Sequence, residues 1–496
     1  MPAVVVGSGY GGAVSALRLG QAGVETLVLE MGRAWDKPGR DGRKFSSTLR
    51  PDGRSMWFRS STRAPVELIG GIPIDQPIDR YAGVLDRMVF DEMSVFVGRG
   101  VGGGSLVNGG MAVTPRREDF ERILPQVDAA EMYAKYFPRA NAQLGSNEVP
   151  RDWFETTPVY QYARLGRAQA QRAGFKTAFV PSTYDYSYMV KEAAFQVPRS
   201  ATGQEVIYGN NHGKRSVDLT YLPAALATGN VTISPLTQVT AIRREPDGTY
   251  VLSLRTMDER GRNVTTRELG CRHLFLNAGA MGTTELLLRA RETGTLQDLS
   301  EEVGLGWGNN GNITAMRGNR MTAHTGNRQS TMPAMGIDCR DDPKTRMFIE
   351  ITPLPTGFEN LVTGYLAITA NPERAALVYD AATDRAKLTW KRSQAAPSIT
   401  AIRSVLDKIN RVEGTTYRRD LYKGGRTFGD HYTWHPLGGC LLGKATDTYG
   451  RAKGYDGLYV NDSSLLPGFT SVNPFVTITA LAERNVERVI AEDVLA

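Results

Sequence analysis

The feature that most constrains this chain is a glycine motif near its start. Gly7, Gly9 and Gly12 form the pattern G-x-G-x-x-G, directly after the apolar residues 3–6. Residues 13–30 carry apolar positions at helical spacing and then a second apolar run, which predicts a β-α-β unit of about 30 residues. In such a unit the first glycine permits a tight turn, the second lets the backbone approach a pyrophosphate, and the third lets helix and strand pack closely. The motif therefore favours dinucleotide binding over a plain turn.

Two further features narrow the choice of dinucleotide. Glu30 ends the second apolar run, where a carboxylate accepts hydrogen bonds from ribose hydroxyls and disfavours the 2′-phosphate of NADP. Seven of the 53 glycines fall within residues 98–110. This cluster indicates either a flexible surface loop or a second backbone segment that lies against a large, flat cofactor. The residues alone leave NAD and FAD open, and the second cluster fits FAD better.

Glu350 and His435 are candidate catalytic residues, each with an ordinary alternative. In a strand over residues 346–353, Glu350 shares one face with Phe348. That face is either a common polar surface or the wall of an apolar cavity, where desolvation would raise the pKa of Glu350 and make it a proton carrier. His435 precedes Pro436 and two glycines that fix its backbone, although a single histidine is more often structural.

Asn473 and Pro474 open the last predicted helix, which runs to the C-terminus. Asn is a favoured N-cap and Pro a favoured first helical residue, so helix capping is the ordinary interpretation. The alternative is that this helix N-terminus faces a flavin ring and stabilises the anion that forms on reduction.

The middle of the chain contains few chemical motifs. Residues 230–277 are predicted as a β-meander with a hairpin turn at Asp247-Gly248. Residues 66–74 form an apolar patch without helical or strand periodicity, in a loop-rich stretch that is typical of lids.

The charge of the chain indicates which partners are expected. The net charge is +7, and no block of five like charges occurs, so nucleic acid is not an expected partner. The positive charge is compatible with transient contact with an anionic membrane surface.

The three cysteines, Cys271, Cys339 and Cys440, show no metal-ligand spacing, so no metal is expected. Neither a transmembrane segment nor a signal peptide is expected in this chain, and a removed secretion signal stays open.

Several long motifs resemble those of the glucose–methanol–choline flavoprotein oxidoreductases, and among these the bacterial cholesterol oxidases that hold FAD non-covalently. The resemblance covers almost the whole chain. The segments that carry it are residues 7–32, 99–115, 275–290, 379–390, 434–447 and 472–490.

The resemblance implies an α/β fold with an α+β second domain. A Rossmann-like FAD-binding domain would be interleaved with a substrate domain built on a large, mostly antiparallel sheet covered by helices. The implied FAD-binding domain comprises residues 1–34, 88–112, 215–305 and 450–496. The implied steroid-binding domain comprises residues 35–87, 113–214 and 306–449.

The resemblance also assigns site residues. Those that would bind FAD are Gly7, Gly9, Tyr10, Gly11, Gly12, Glu30, Gly104, Asn108, Gly109, Met111, Val239, Asp462, Asn473, Pro474 and Phe475. Those that would line the substrate pocket are Met111, Phe348, Glu350, His435 and Asn473. The catalytic residues among them would be Glu350, His435 and Asn473.

The implied reaction has two halves. A hydride leaves C3 of a 3β-hydroxysteroid such as cholesterol for FAD, with His435 and Asn473 orienting the hydroxyl and O2 finally giving H2O2. Glu350 then moves a proton from C4 to C6, which converts the 5-ene-3-one to the 4-ene-3-one. The resemblance further implies a monomer and a secreted protein, with a sterol and O2 as partners.

Some segments depart from the family pattern and leave the substrate preference open. They are residues 57–78, in the position of a steroid lid, residues 320–332 and 414–434, and Asp462-Ser463-Ser464 in place of Asp-Gly-Ser. The alternatives are a flavin alcohol oxidase for another bulky secondary alcohol without isomerisation, an NAD-dependent dehydrogenase, and a non-catalytic binding protein.

Overall fold

A computed structural model describes residues 1–62, 75–343, 346–354 and 360–496 of the chain. Residues 63–74, which include the apolar patch predicted as a lid, lie outside the described residues. Two kinds of sheet dominate the fold, one parallel and one antiparallel, and a long cleft touches both.

The strands are β1 (Ala3–Val6), β2 (Thr26–Leu29), β3 (Leu85–Val89), β4 (Ser94–Gly98), β5 (Thr177–Phe179), β6 (Val231–Ser234), β7 (Thr237–Arg244), β8 (Tyr250–Thr256), β9 (Thr265–Cys271), β10 (His273–Leu276), β11 (Asn312–Gly318), β12 (Met335–Asp338), β13 (Met347–Thr352), β14 (Val362–Thr369), β15 (Leu377–Asp380), β16 (Arg385–Leu388), β17 (Phe428–Gly429), β18 (Tyr432–Thr433) and β19 (Leu458–Val460).

The α-helices are α1 (Tyr10–Gln21), α2 (Arg117–Ile123), α3 (Ala129–Glu131), α4 (Phe137–Leu144), α5 (Arg151–Thr156), α6 (Gln161–Arg172), α7 (Tyr186–Ala193), α8 (Tyr221–Leu226), α9 (Gly279–Glu292), α10 (Ala396–Glu413) and α11 (Phe475–Val489). Single π-helical turns, Met132–Tyr136 and Ile490–Val494, join α3 to α4 and follow α11. Among the described residues, no helix combines the length and the apolar composition that a membrane span requires.

Five parallel strands form the sheet that carries the glycine motif, in the order β19-β10-β1-β2-β6. All four residues of β1 are buried, as expected for the centre of a parallel sheet covered on both faces. Helix α1 is buried along most of its length because it packs against α8 and α11 on one side of this sheet.

Six strands form the second large sheet, in the order β17-β11-β14-β13-β12-β5, and all its pairs are antiparallel. Helices α6 and α10 pack against it, and their buried residues recur at helical spacing. Strand β13 lies inside this sheet, with Glu350 opposite Gly336 on β12 and Leu366 on β14.

The predicted β-meander over residues 230–277 is wrong at both of its ends. Only β7, β8 and β9 form an antiparallel three-stranded sheet, whereas β6 and β10 join the parallel sheet. The reason is that β6 and β10 have apolar partners within reach on β2 and β1, so burial in the large sheet outweighs pairing with their sequence neighbours. The predicted hairpin turn at Asp247-Gly248 connects β7 to β8, and Gly248 has a φ of 88°.

The predicted fold class is confirmed: a mixed α/β fold combines a Rossmann-like parallel sheet with antiparallel sheets. The strands of the parallel sheet come from residues 3–29, 231–276 and 458–460, and those of the six-stranded sheet from residues 177–179 and 312–429. The exact domain boundaries stay a prediction.

We expect Gly12→Ala to destabilise the protein although alanine is the better helix former. A Cβ on Gly12 would overlap the carbonyl oxygen of Gly7, which is fixed backbone. The overlap should lower the free energy of unfolding by about 2–3 kcal/mol, more than the gain in helix propensity of about 1 kcal/mol. Urea unfolding of the cofactor-free protein measures the difference.

The matched control is Gly104→Ala, because a Cβ on Gly104 would have no atom within 4 Å. Its unfolding free energy should stay within about 0.5 kcal/mol of the original protein. Equal stability of both variants would contradict close packing of the strand on the helix.

Candidate active site

A single cleft of about 1330 Å³ connects the glycine motif with the antiparallel sheet. Its walls include Gly7 and Glu30 from the parallel sheet, Val239 from β7, and Glu350 from β13. His435 and Asn473 line the same cleft. The structure therefore brings the predicted dinucleotide motif and all three predicted catalytic residues to one cavity.

Bare backbone forms part of the cleft wall, because the two glycine-rich segments lie against each other. Gly103 has a φ of 54°, and a Cβ there would lie 2.8 Å from the Cα of Gly9. Gly104, the next residue, has open space where its Cβ would be, and it lines the cleft. A Cβ on Gly11 would overlap the carbonyl of Asn461. The absence of side chains therefore lets the two segments pack closely at Gly103 and Gly11, and it leaves the backbone at Gly104 accessible to a ligand in the cleft.

Glu30 is 6% exposed, and its carboxylate already accepts three hydrogen bonds. The Ser8 amide and hydroxyl donate to Oε2 at 3.1 and 2.7 Å, and the Gly32 amide donates to Oε1 at 2.8 Å. A carboxylate has about four acceptor positions, so Oε1 keeps one for a ribose hydroxyl. The amide of Gly102 donates to the Ser8 hydroxyl at 3.1 Å, which ties the second glycine segment to the same carboxylate.

Asn108 holds the far end of the second glycine segment in place. Its amide group donates to the Tyr10 hydroxyl at 2.6 Å and accepts from the amide of Gly110 at 3.0 Å. The Tyr10 ring stacks on Phe475 with centroids 5.0 Å apart and planes at 10°. Burial raises the pKa of Tyr10 well above its ordinary value, so the hydroxyl stays protonated. Tyr10, Asn108, Gly109 and Phe475 all line the cleft.

Lys214 is a residue of this region that the sequence analysis missed. Its ammonium group donates to the backbone carbonyl of Asn108. The side chain is buried, and desolvation lowers its pKa to about 7, while Asp218 acts in the opposite direction. A lone lysine without a motif gives no signal in the sequence, because its burial arises from contacts between distant segments.

Val239 and Asp462 also line the cleft. The pairing of β7 with β8 shifts register between Val239 and Ala241, and such a bulge frees backbone groups from the ladder. The Asp462 carboxylate is already occupied, since it accepts from the amides of Gly279 and Ser464 and from the hydroxyls of Thr283 and Ser464.

The interpretation of Asn473 as a helix cap is wrong. Helix α11 begins at Phe475 after Pro474, and no side-chain hydrogen bond caps it. The Asn473 side chain is 3% exposed, and its Oδ1 has no hydrogen-bond partner in the described residues. A buried carbonyl without a donor is costly, so this group is available for a ligand in the cleft.

Glu350 has the most unusual environment among the cleft residues. It is fully buried on β13, and neither carboxylate oxygen has a hydrogen-bond partner in the described part of the chain. Desolvation raises its pKa to about 8, and a polar contact with the Asn473 side chain, outside the geometry of a full hydrogen bond, opposes this shift in part. A carboxyl group with a pKa near the working pH can both accept and release a proton.

His435 faces the same cleft as a neutral ring. Burial lowers its pKa to about 4. The Asn310 side chain fixes its tautomer: the Thr470 amide donates to Asn310 Oδ1 at 2.8 Å, so Nδ2 is the atom that faces Val472 O and, at 3.4 Å, His435 Nδ1. Since Nδ2 can only donate, Nδ1 of His435 accepts and Nε2 carries the proton.

Met111 and Phe348 belong to one apolar cluster with Val113, Val180 and Val472. Met111 lines the cleft, whereas Phe348 packs behind it and lies outside the cleft wall formed by the described residues. Of these two predicted substrate-pocket residues, Met111 therefore forms part of the cleft wall, and Phe348 supports that wall without lining the cleft.

These residues fit a flavin dinucleotide. The backbone of Gly7, Gly9 and Gly11 forms a glycine floor in the cleft that admits a pyrophosphate at the start of α1. Glu30 keeps an acceptor for a ribose. The unpartnered buried oxygens of Glu350 and Asn473 lie in the same cleft, as expected for groups that face a reacting substrate.

The fold and the cleft agree with the family assignment. Residues 3–291 match the GMC oxidoreductase family, and residues 310–423 match the C-terminal part of GMC oxidoreductases. The chain belongs to this family, whose members are flavoproteins, typically with FAD. It is a flavin-dependent oxidoreductase that acts on alcohols.

Among known relatives, a cholesterol oxidase of Acinetobacter baumannii is 24% identical and aligns with 99% of this chain and 95% of its own. A cholesterol oxidase of Mycobacterium tuberculosis strain H37Rv is also 24% identical, over 97% of this chain and 89% of its own. A fungal aryl-alcohol oxidase (TM-score 0.64, 15% identity, 99% of this chain and 98% of the other) and a pyridoxine 4-oxidase from Mesorbium loti (TM-score 0.63, 17% identity, 99% of each chain) share the fold.

We expect Glu350→Gln to stabilise the cofactor-free protein, and to do so more at pH 8.5 than at pH 5. The native pKa of about 8 lies above the ordinary 4.5, so the native state binds the proton more tightly than the unfolded state. Its contribution to stability is present below the unfolded pKa and is lost as the pH rises through 8. The variant should gain on the order of 3 kcal/mol relative to the original protein over this interval.

The measurement is urea unfolding of both proteins at the two pH values. Glu301→Gln serves as the control because Glu301 is exposed and its charge stays in water. A gain for Glu350→Gln that is the same at both pH values would exclude titration of this carboxyl group as the cause.

Proposed function

We propose that this protein oxidises the 3β-hydroxyl of a steroid such as cholesterol to the 3-ketone with O2 as acceptor, and then isomerises the 5-ene-3-one to the 4-ene-3-one. The observation that carries the proposal is the Glu350 carboxylate, buried and unpartnered on the cleft wall. Oxidation of a plain alcohol needs no such group, whereas proton transfer between two carbons does. The relatives named cholesterol oxidase, which align with nearly the whole chain, support the same substrate class.

The proposed cofactor is FAD, bound without a covalent link. Gly7, Gly9, Gly11 and Gly12 would hold its pyrophosphate, and Glu30 its adenosine ribose. A covalent link requires a nucleophilic side chain. Among the described residues that line the cleft there is one histidine, His435, and no cysteine, and the non-covalent mode itself is proposed from the family resemblance.

The proposed oxidation depends on orientation of the substrate hydroxyl by His435 and Asn473. FAD, when bound, would supply the hydride acceptor, and O2 would be the final electron acceptor, giving H2O2. Nε2–H of His435 donates to the hydroxyl oxygen, and Oδ1 of Asn473 accepts from the hydroxyl hydrogen. Both groups are neutral and fixed, so they orient C3 for hydride transfer. The hydroxyl proton would be released to water, and together with the hydride it balances the reduction of O2 to H2O2.

The proposed isomerisation belongs to Glu350. Its carboxylate form takes a proton from C4 of the 5-ene-3-one and returns it to C6, so no atom is gained or lost. The apolar surroundings raise its pKa, which strengthens it as a base once it is ionised. The isomerisation rate should therefore rise with pH as Glu350 ionises.

The proposed partners are a sterol and O2, and nucleic acid is not among them. Phe195 is 62% exposed, and the guanidinium groups of Arg199 and Arg328 lie 5.3 and 4.6 Å from its ring centre. With the net charge of +7, this patch supports transient contact with an anionic membrane. Monomeric state and secretion are proposed from the family resemblance alone.

The direct test is to purify the protein, record its visible spectrum and add cholesterol in detergent under air. We expect flavin absorption bands, release of H2O2, and ultraviolet absorption of a conjugated enone. Acid precipitation should release the flavin into solution because it is not covalently bound. A colourless protein would exclude the flavin, and peroxide without the enone would support the alternative of an alcohol oxidase that does not isomerise.

Glu350→Gln should separate the two halves of the reaction. Loss of the ionisable group should lower the isomerisation rate by at least about 100-fold, while the flavin content stays that of the original protein. The 5-ene-3-one supplied as substrate isolates the second step. Equal loss of flavin content and isomerisation would assign Glu350 a structural role instead.

A further inference from the structure

Three arginines line one mouth of the cleft without a carboxylate partner. Arg255 lies on β8, and Arg260 and Arg262 lie in the turn between β8 and β9. All three are exposed, and none forms an ion pair with the described residues. Arg255 is the register partner of Gln238, next to Val239, which places this basic rim beside the strand proposed to face the adenine.

The turn that carries the rim is held in place by its own acidic neighbours. The Asp258 carboxylate accepts from the backbone amides of Arg260 and Arg262 at 2.9 and 2.7 Å, and from the Asn263 side chain at 3.0 Å. Gly261 packs its backbone near the ring of Phe58. The two arginine side chains therefore project from a fixed turn.

The remaining carboxylates near this mouth are held by other cations. Glu259 pairs with Arg33 at 2.9 Å. Glu285 and Asp384 both pair with Arg289, at 3.3 and 2.6 Å. Among the described residues of this mouth, the carboxylate of Asp258 has no cationic partner, so the three guanidinium groups of the rim leave a net positive charge. The exposed side chains of Arg59, Arg80 and Arg385 also line the cleft and add to this charge.

We propose that Arg255, Arg260 and Arg262 form a capture rim that speeds entry of the anionic dinucleotide into the cleft. The inference rests on the proposed FAD cofactor, whose pyrophosphate is a dianion. Charges of one sign at the mouth of a cleft raise the association rate of an oppositely charged ligand by about 10- to 1000-fold, and salt screens the effect. Because the three side chains are exposed and flexible, the rim acts mainly on encounter, and the glycine floor and Glu30 determine how long the cofactor stays.

The experiment follows the quenching of FAD fluorescence when cofactor-free protein is mixed with FAD. The triple variant Arg255→Gln, Arg260→Gln, Arg262→Gln is compared with the control triple Arg267→Gln, Arg272→Gln, Arg411→Gln. The control removes the same total charge from exposed positions that do not line the cleft. Association and dissociation rate constants are measured at ~0.02 M and ~0.5 M ionic strength.

The rim variant should associate about tenfold more slowly at low salt, while the control changes less than twofold. The difference should disappear at high salt, and the dissociation rate should stay within about twofold of the original. Equal association rates of the two triples, or a rim effect confined to dissociation, would overturn the proposal.

Riboflavin, which is uncharged, and ADP, which carries the diphosphate without the flavin, separate this proposal from that of the cofactor. ADP should compete with FAD more weakly in the rim variant at low salt, whereas any riboflavin association should be the same in both triples. Failure of the original protein to quench FAD at all would overturn the cofactor proposal itself, and the capture rim with it. FAD binding with a salt-independent rate would overturn the rim alone.

Discussion

The close contact between Gly9 and Gly103 is the constraint on which the rest of the cleft depends. A side chain at Gly103 would hold the two backbone segments apart, because its Cβ would lie 2.8 Å from the Cα of Gly9. Their contact allows the Gly102 amide to donate a hydrogen bond to the Ser8 hydroxyl. The Ser8 hydroxyl in turn donates to the Glu30 carboxylate, which fixes the first glycine segment. A motif that is local in the sequence thereby positions a second segment about 90 residues later in the chain.

The same cleft keeps polar groups that a stable core would pair or exclude. Both oxygens of Glu350 and Oδ1 of Asn473 are buried without hydrogen bonds in the described residues. Each such group costs on the order of 1–3 kcal/mol, which the large cores around the two main sheets can offset. A purely structural role would favour an apolar residue at position 350, since its neighbours on β13 are apolar and buried. The cost is understandable if a substrate supplies the missing partner.

The parts of this fold that depend on neighbouring residues could be predicted from the sequence. The β1-α1-β2 unit and the shared face of Phe348 and Glu350 follow from periodicity. The partners of β6 and β10 could not be predicted in this way, because they pair with strands about 200 or more residues away. The local pattern predicts a meander, but burial in the parallel sheet outweighs it.

The candidate site was predictable by residue type and less so by environment. The sequence predicts Asn473 as a cap or a flavin neighbour, and only the packing around α11 leaves its Oδ1 without a donor among the described residues. Asn310 and Lys214 carry no motif, yet one fixes the tautomer of His435 and the other holds the Asn108 carbonyl. Their roles come from contacts between segments that are far apart in sequence.

The two ends of the cleft differ in charge, and this difference determines which way a substrate can lie. At the dinucleotide end, the Glu30 carboxylate accepts hydrogen bonds from protein donors. The arginines of the capture rim at the same end are exposed. At the other end, His435 is neutral above about pH 4 and Glu350 is neutral below about pH 8. Between these limits the end of the cleft that contains His435 and Glu350 carries no charge on either side chain, although it holds a proton donor and a proton acceptor. An apolar alcohol can therefore enter there without displacing a tightly hydrated ion, while a dianionic cofactor is favoured only at the opposite end.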